Sequence, residues 1–135
     1  MEVLTRQIEK VKGMYESFNK GDIPSIISKM DKDCIWESMG QPDIPYAGIY
    51  HGPADVKSFF TKLTNHINFT EMEPEHFTEV DNLVTVTGHF KGTVLKNKKL
   101  VSSIWAMTFE FSNSGKVTHF RDIFDTLTVG RAFTK

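Results

Sequence analysis

One acidic residue stands out by its neighbours. In Lys116 to Thr126, Lys-Val-Thr-His-Phe-Arg-Asp-Ile-Phe-Asp-Thr, Asp122 lies two residues from both Phe120 and Phe124. The stretch follows a turn signal, Ser112-Asn113-Ser114-Gly115, and has the period of two that marks a strand. Thr118, Phe120, Asp122, Phe124 and Thr126 then share one face, and Val117, His119, Arg121, Ile123 and Asp125 the other. The two phenyl rings mark the first face as buried. A carboxylate there is costly unless it is hydrogen-bonded, paired or protonated. Burial raises its pKa, and a raised carboxyl can take or give a proton near neutral pH. The structural alternative is an Asp held by the indole N–H of Trp36 or Trp105, or by a backbone amide, with no chemistry.

Trp36, Tyr46, Tyr50, Phe90, Trp105, Phe120 and Phe124 have the bulk to line an apolar cavity, or else simply pack a core. His51 falls in a loop expected to rim such a cavity and is a candidate ligand contact. His51, His66, His76, His89 and His119 show no metal-ligand spacing, so no metal is expected. His89, His119 and Arg121 lie on polar parities, at solvent or an interface. Arg121 and Asp125 share a face, which predicts an ion pair. Glu71, Glu73 and Glu75 alternate, which predicts a solvated face. Cys34 reads as a small buried apolar residue. There is no nucleophile elbow, phosphate loop or dinucleotide fingerprint, and no cofactor is expected.

The 135 residues predict one domain, 1–135. A net charge of −1 gives no footprint for nucleic acid or an anionic membrane. No apolar run reaches membrane-spanning length. The N-terminus lacks an apolar signal core, and the lone cysteine suits a reducing compartment, so a cytoplasmic protein is expected. Aromatics make up 12% of the chain, with eleven Phe, as suits an aromatic-faced sheet or cavity.

Residues 3–20 predict an amphipathic helix on Leu4, Ile8, Val11, Tyr15 and Phe18, closed by Gly21. Asp22 caps a second helix buried through Ile23, Ile26, Ile27 and Met30, before Asp31-Lys32-Asp33 breaks the pattern. Cys34 to Met39 predicts a short strand and 40–52 a long loop. Pro53 opens a third helix on Val56, Phe59, Phe60 and Leu63. Ile67 to Val80 is a strand or bent pair interrupted by Pro74. Leu83 to Leu95, Leu100 to Phe111 and the Asp122 stretch follow as antiparallel neighbours. Lys96 to Lys99 reads as a solvated hairpin tip. The class is α+β, with a sheet curled around the helices and a cleft at its open end.

Several motifs, in order, resemble the SnoaL-like branch of the nuclear transport factor 2-like superfamily, which holds ketosteroid isomerases, polyketide cyclases and limonene-epoxide hydrolases. They are Tyr15…Phe18-Asn19-Lys20-Gly21-Asp22, Asp33-Cys34-Ile35-Trp36, Ala47-Gly48-Ile49-Tyr50-His51-Gly52 with Val56…Phe59-Phe60, and Gly115-Lys116-Val117…Phe120-Arg121-Asp122-Ile123-Phe124-Asp125. The resemblance implies a cone-shaped roll, three N-terminal helices packed on a strongly curved, mostly antiparallel sheet, and a homodimer. It also implies a pocket in which Asp122 matches a catalytic Asp of the epoxide hydrolases. The hydrolase's Arg and second Asp fall near Gly88 and Phe90, and its water-binding Tyr and Asn at Trp36 and Ser38, so that mechanism does not carry over. Tyr15 approximates the isomerase Tyr, without a second acid. The expectation is a pocket protein for a small apolar molecule. It acts as a cofactor-independent isomerase, cyclase or hydratase on a carbonyl-type substrate, with Asp122 moving the proton and Ser38 among the binding positions. The alternative is a non-catalytic ligand-binding or protein-interaction module of the same fold.

Overall fold

The structure, a computed structural model, describes residues 7–134. Leu4 and the expected helix start at residue 3 lie outside the described residues. The first helix, α1 (Gln7–Lys20), buries Val11, Met14 and Tyr15 at the three- and four-residue spacing of one stripe. Gly21, at φ 77°, ends it, its N–H donating to the Phe18 carbonyl at 3.0 Å. Asp22 caps α2 (Ile23–Ile27) by accepting from the Ser25 N–H. Met30, expected on this helix, instead opens β1 (Met30–Ser38). That strand absorbs Asp31-Lys32-Asp33 at an irregularity between Met30 and Ile35 in its pairing.

The 40–52 loop is shorter than expected, because Gly48–His51 forms β2, paired with β1. Then come α3 (Gly52–His66), β3 (Ile67–Val80), β4 (Leu83–Val94), β5 (Leu100–Phe111), β6 (Val117–Phe124) and a fourth helix, α4 (Thr126–Phe133). The sheet order is β2-β1-β6-β5-β4-β3. Only the β1–β6 pair is parallel. The sheet is curled and unclosed, and α1 and α3 pack within its curve. Ile67 to Val80 is one continuous strand, with register shifts beside Thr70 and Glu75 that accommodate Pro74.

The sequence reading missed α4. Thr126-Leu127-Thr128-Val129-Gly130 is poor in helix formers. The signal it carries is a cap: Asp125 accepts from the Thr128 N–H at 3.1 Å and its hydroxyl at 2.7 Å. Val129, Ala132 and Phe133 form the buried side. Asp125 is therefore not the partner of Arg121, whose Nε donates to Glu37 Oε2 at 2.6 Å. The Lys96–Lys99 tip is not wholly solvated either. Asn97 donates to the Ala132 carbonyl at 2.9 Å and Lys99 Nζ to that of Arg131 at 3.4 Å, satisfying the end of α4.

A second departure concerns Val117, assigned to the outer face but fully buried. Glu110 pairs with His119 and Phe111 with Val117, so Thr118 is an extra residue on β6. The bulge turns Val117 inward, and the Thr118 hydroxyl donates to the Glu110 carbonyl at 3.2 Å. Beyond the bulge the expected alternation resumes.

Gly88 makes room for one wall of the interior. A Cβ there would stand 2.2 Å from the Glu73 carbonyl oxygen and 2.6 Å from Cζ2 of Trp105. Gly88→Ala should cost about 1–3 kcal/mol in urea unfolding, the range for overpacking. Gly13→Ala, on α1 with nothing within 4 Å of the added carbon, should instead stabilise by about 0.5–1 kcal/mol.

Candidate functional site

Between the curled sheet and the helices lies a cavity of about 80 Å³. Its wall is almost wholly apolar and aromatic. Trp36 from β1, Phe120 and Phe124 from β6, Trp105 from β5, Phe90 from β4 and Tyr46 from the β1–β2 loop all line it. The same wall includes Asp122. Trp36 lies flat on Phe120, centroids 3.7 Å apart and planes at 22°, and Trp105 on Tyr15 at 5.5 Å and 14°.

The ladder fixes Asp122. On β6 it stands opposite Ser38 of β1 and Met107 of β5, and its carbonyl accepts from the Met39 N–H at 3.2 Å. The residue as a whole is partly exposed, but its Oδ1 is buried with no hydrogen-bond partner. Burial pushes the carboxyl up to about 7, because the charged form loses its water. Neither indole holds it: Nε1 of Trp36 and of Trp105 are both buried and unpartnered. The alternative of an Asp anchored by a tryptophan is thus not what the geometry shows.

Two phenols sit within electrostatic reach. Tyr15 and Tyr46 are both raised in pKa, first by burial and then by the charge of Asp122. Tyr15 Oη donates to Met107 Sδ at 2.9 Å, next to Asp122 in register. Tyr15 reads from sequence as part of the buried stripe of α1 and, by resemblance, as the isomerase Tyr; its placement beside Asp122 depends on α1 crossing the sheet. Phe59, Phe60, Phe69 and Met72 also line the cavity. The helical stripe of α3 signalled the first two. Phe69 and Met72 are three apart on β3 and share a face only because the register shifts between Phe69 and Glu71.

Three expected site residues are placed elsewhere. His51 is exposed at the start of α3, its N–H donating to Asp55 Oδ2 at 2.9 Å. Tyr50 is buried on the edge strand, its hydroxyl spent on the Tyr46 carbonyl at 2.9 Å and its ring edge-on to Phe59. Ser38 is buried opposite Asp122, but outside the cavity wall, with its Oγ unpartnered.

The outer face of the sheet carries several charged groups. His119 stands between Glu37 at 3.5 Å and Glu110 at 3.6 Å. Glu37 is held below its usual range, first by the Arg121 hydrogen bond. Glu71 and Glu75 do not merely face water: both bond the His89 ring, raising its pKa. Glu73 stands between them on β3, opposite His89. Among the described residues no group of three His, Cys, Asp or Glu is placed to hold a metal ion, and no helix is long and apolar enough to cross a membrane.

A family model described as a SnoaL-like domain matches residues 11–120. Among solved structures, the chain is similar to a nuclear transport factor 2-like protein of unknown function from Burkholderia pseudomallei, at 24% identity over 98% of this chain and 100% of that one, TM-score 0.86. It is similar to TerC, co-crystallised with polyporic acid, at 24% identity over 96% of this chain and 98% of that one, TM-score 0.82. It is also similar to a candidate polyketide cyclase from Pseudomonas putida, at 15% identity over 96% and 98%, TM-score 0.81. At these identities the likeness shows the fold. No curated protein matches the sequence.

Asp122 should leave a mark on stability. Its ordinary pKa of 3.8 rises to about 7 in the fold, so the folded state holds the proton more tightly than the unfolded chain. The contribution is fully present below pH 4 and is lost as pH climbs to about 7. The loss is at most of order 4 kcal/mol, at about 1.4 kcal/mol per pH decade. Taking the difference between wild type and Asp122→Asn removes the opposite slopes of Asp22, Glu37 and Asp125, whose pKa values are lowered. Denaturant unfolding from pH 4 to 8 should show the wild type losing ground to the variant over that window.

Proposed function

The chain belongs to the SnoaL-like domain family, and from that premise we propose that it is a small-molecule pocket protein working as a cofactor-independent isomerase or cyclase on an apolar, carbonyl-bearing substrate. The observation that carries the reading is Asp122 Oδ1, buried and unpartnered on the wall of an otherwise apolar cavity. A similar structure from Rhodopseudomonas palustris, named as a candidate isomerase (17% identity over 98% of this chain and 100% of that one, TM-score 0.80), and the Pseudomonas putida candidate polyketide cyclase support this reaction class.

With its pKa near 7, the carboxyl is close to half ionised at neutral pH, where both proton acceptor and donor forms are available. In the proposed reaction the ionised form takes a proton from carbon next to the substrate carbonyl. The C–H electron pair moves into the enolate. Isomerisation follows if the same proton is returned at another carbon. Cyclisation follows if the enolate carbon attacks a second carbonyl and the protonated Asp122 gives its proton to the new alkoxide. The apolar wall excludes water and disfavours stray protonation of the enolate.

One observation supports the alternative of a binding module without turnover. Among the described residues no second carboxylate and no histidine lines the cavity, so one group must both take and return the proton. Asp122→Asn separates the readings. Turnover of a substrate found by screening should fall about 10²–10⁴-fold, with binding changed only a few-fold. The wild-type rate limited by the base should rise with pH through about 7. A substrate turned over equally by the variant would remove Asp122 from the chemistry, and ligands that bind without any turnover would leave the binding reading standing.

We also propose a homodimer through the outer sheet face. Leu100 and Ile104 alternate outward on β5 at 84% and 76% exposure. Ile123, 46% exposed, pairs with Ala106 beside them. The same face carries both charge signs, Arg121 and His119 with Glu37 and Glu110, so a copy docked on it is not opposed by charge of a single sign. Sedimentation at about 50 μM should give a dimer, and Ile104→Glu should give monomers whose unfolding is otherwise intact. A monomeric wild type ends this proposal.

A further inference from the structure

Two buried polar atoms stand on neighbouring strands with nothing bonded to either. Ser38 Oγ and Asp122 Oδ1 are both sealed from water and both unpartnered. Their residues are Cα partners in the parallel β1–β6 ladder. The ladder is held at this point by the Met39 N–H, which donates to the Asp122 carbonyl at 3.2 Å. Paired strands lie about 4.7–4.9 Å apart, a gap that a hydroxyl and a carboxyl can close between them. A hydroxyl can donate, and an ionised carboxylate can only accept.

The other polar groups near the acid are engaged or belong to the cavity. The Tyr15 hydroxyl donates to Met107 Sδ at 2.9 Å. Trp36, Trp105 and Tyr46 line the cavity wall, where a bound molecule can meet their N–H and O–H groups. Ser38 is not on that wall and is buried. Neither water nor a molecule in the cavity satisfies its hydroxyl, and a buried hydroxyl left unpaired is costly. A turn of its χ1 between staggered wells is the smallest movement that gives it a partner, and the acceptor in register is Asp122. The two carboxyl oxygens also differ. Oδ1 is sealed, whereas Oδ2 is not, and Asp122 as a whole is partly exposed on the cavity wall. Oδ2 is therefore the oxygen open to a substrate.

Resting on the reading of Asp122 as the proton-transfer group, we propose that Ser38 is its positioning residue: when Asp122 ionises, the Ser38 hydroxyl turns to donate to Oδ1, which fixes the carboxylate plane and leaves Oδ2 aimed into the cavity. The Ser38 proton stays on its own oxygen throughout. Ser38 touches no substrate and acts only through the acid. The titratable groups that face Asp122 are the phenols of Tyr15, from α1, and Tyr46, from the β1–β2 loop. Both are raised by burial and then by the charge of Asp122, so both stay protonated through the neutral range. Met107 faces it from β5, and α3 brings Phe59 and Phe60 to the wall. Glu37 and Arg121 pair with each other on the outer side of the sheet.

The test reads the acid directly and needs no substrate. In the full chain labelled with ¹³C-aspartate, the Asp122 carboxyl carbon is followed against pH by NMR, with Asp122→Asn identifying its resonance. A hydrogen bond donated to the charged form favours that form. Ser38→Ala should therefore raise the midpoint above that of the wild type by about 1–2 pH units, as for one hydrogen bond to a charged group. Ser38→Cys, close in shape but only a weak donor, should raise it likewise. Ser38→Thr, which keeps the hydroxyl, should hold the wild-type midpoint, an outcome that altered packing alone would not produce. Any turnover limited by the base should shift its pH profile in step with the midpoint. Ala and Cys variants with the wild-type midpoint, all raised above the ordinary carboxylate range, would overturn the role of Ser38 and leave Asp122 as the proton-transfer group. An Asp122 titrating in the ordinary range in the wild type and in every variant would overturn both.

Discussion

A carboxyl group with one oxygen, Oδ1, shut off from water at the middle of a sheet is the constraint around which this chain is arranged. β6 is the third strand of six, bounded by β1 on one side and β5 on the other. No edge is available for Asp122 to turn toward solvent, because pairing on both sides fixes its backbone. Its side chain must then share a face with Phe120 and Phe124, whose burial holds the strand in place. The acid is inward because the rings are inward. A one-residue slip would expose the acid and the phenyls together, so the apolar contacts that stabilise the strand also impose the burial.

That coupling explains what was legible. The alternation Phe120, Asp122, Phe124 is a local fact and put those three on one face; Trp36, Tyr46, Phe90 and Trp105 were candidates by their bulk, with core packing as the alternative, and the structure brings all seven to one cavity. The regular elements follow from equally local signals: the stripe of α1, the Asp22 cap, the turn at Ser112-Asn113-Ser114-Gly115. What escaped was set by tertiary pairing. His51 was assigned by its neighbourhood in the chain, and only β2 pairing with β1 shows that it leaves the cavity. The bulges at Thr70, Glu75 and Thr118 change which residue faces in, and no single strand announces them. α4 escaped because its propensity is poor and its stability comes from Asp125, buried Val129 and Phe133, and the Asn97 contact.

The same irregularities make the room that the acid needs. A sheet this long would flatten against the helices without points at which to bend. Gly88 and Gly92 lie on the inward face of β4, each in close contact with β3: a Cβ would meet the carbonyl oxygens of Glu73 and Asn68 at 2.2 and 2.9 Å. The space left by Gly88 is taken by the edge of Trp105. The wall is thus built by subtraction on β4 and filled from β5, while α1 and α3 supply Tyr15, Phe59 and Phe60 from the other side. Aromatic side chains suit this, since they span the gap from few backbone positions and pack edge-on against one another.

Selection for stability alone would not retain such an acid. An apolar residue at position 122 would match Met107 beside it, complete the wall and remove a desolvation cost of several kilocalories. Structural polar groups in cores are normally partnered, and in this fold the paired carboxylates are indeed elsewhere: Asp22 and Asp125 cap helices, Glu37 holds Arg121, and Glu71 and Glu75 hold His89. Asp122 is the carboxylate whose Oδ1 is both buried and unpaired among the described residues. Its stability cost is carried without a structural return, beside two indole N–H groups in the same condition. That three such groups belong to residues lining one cavity supports the proposal of a small-molecule ligand, which is why the site, rather than the fold, carries the functional argument.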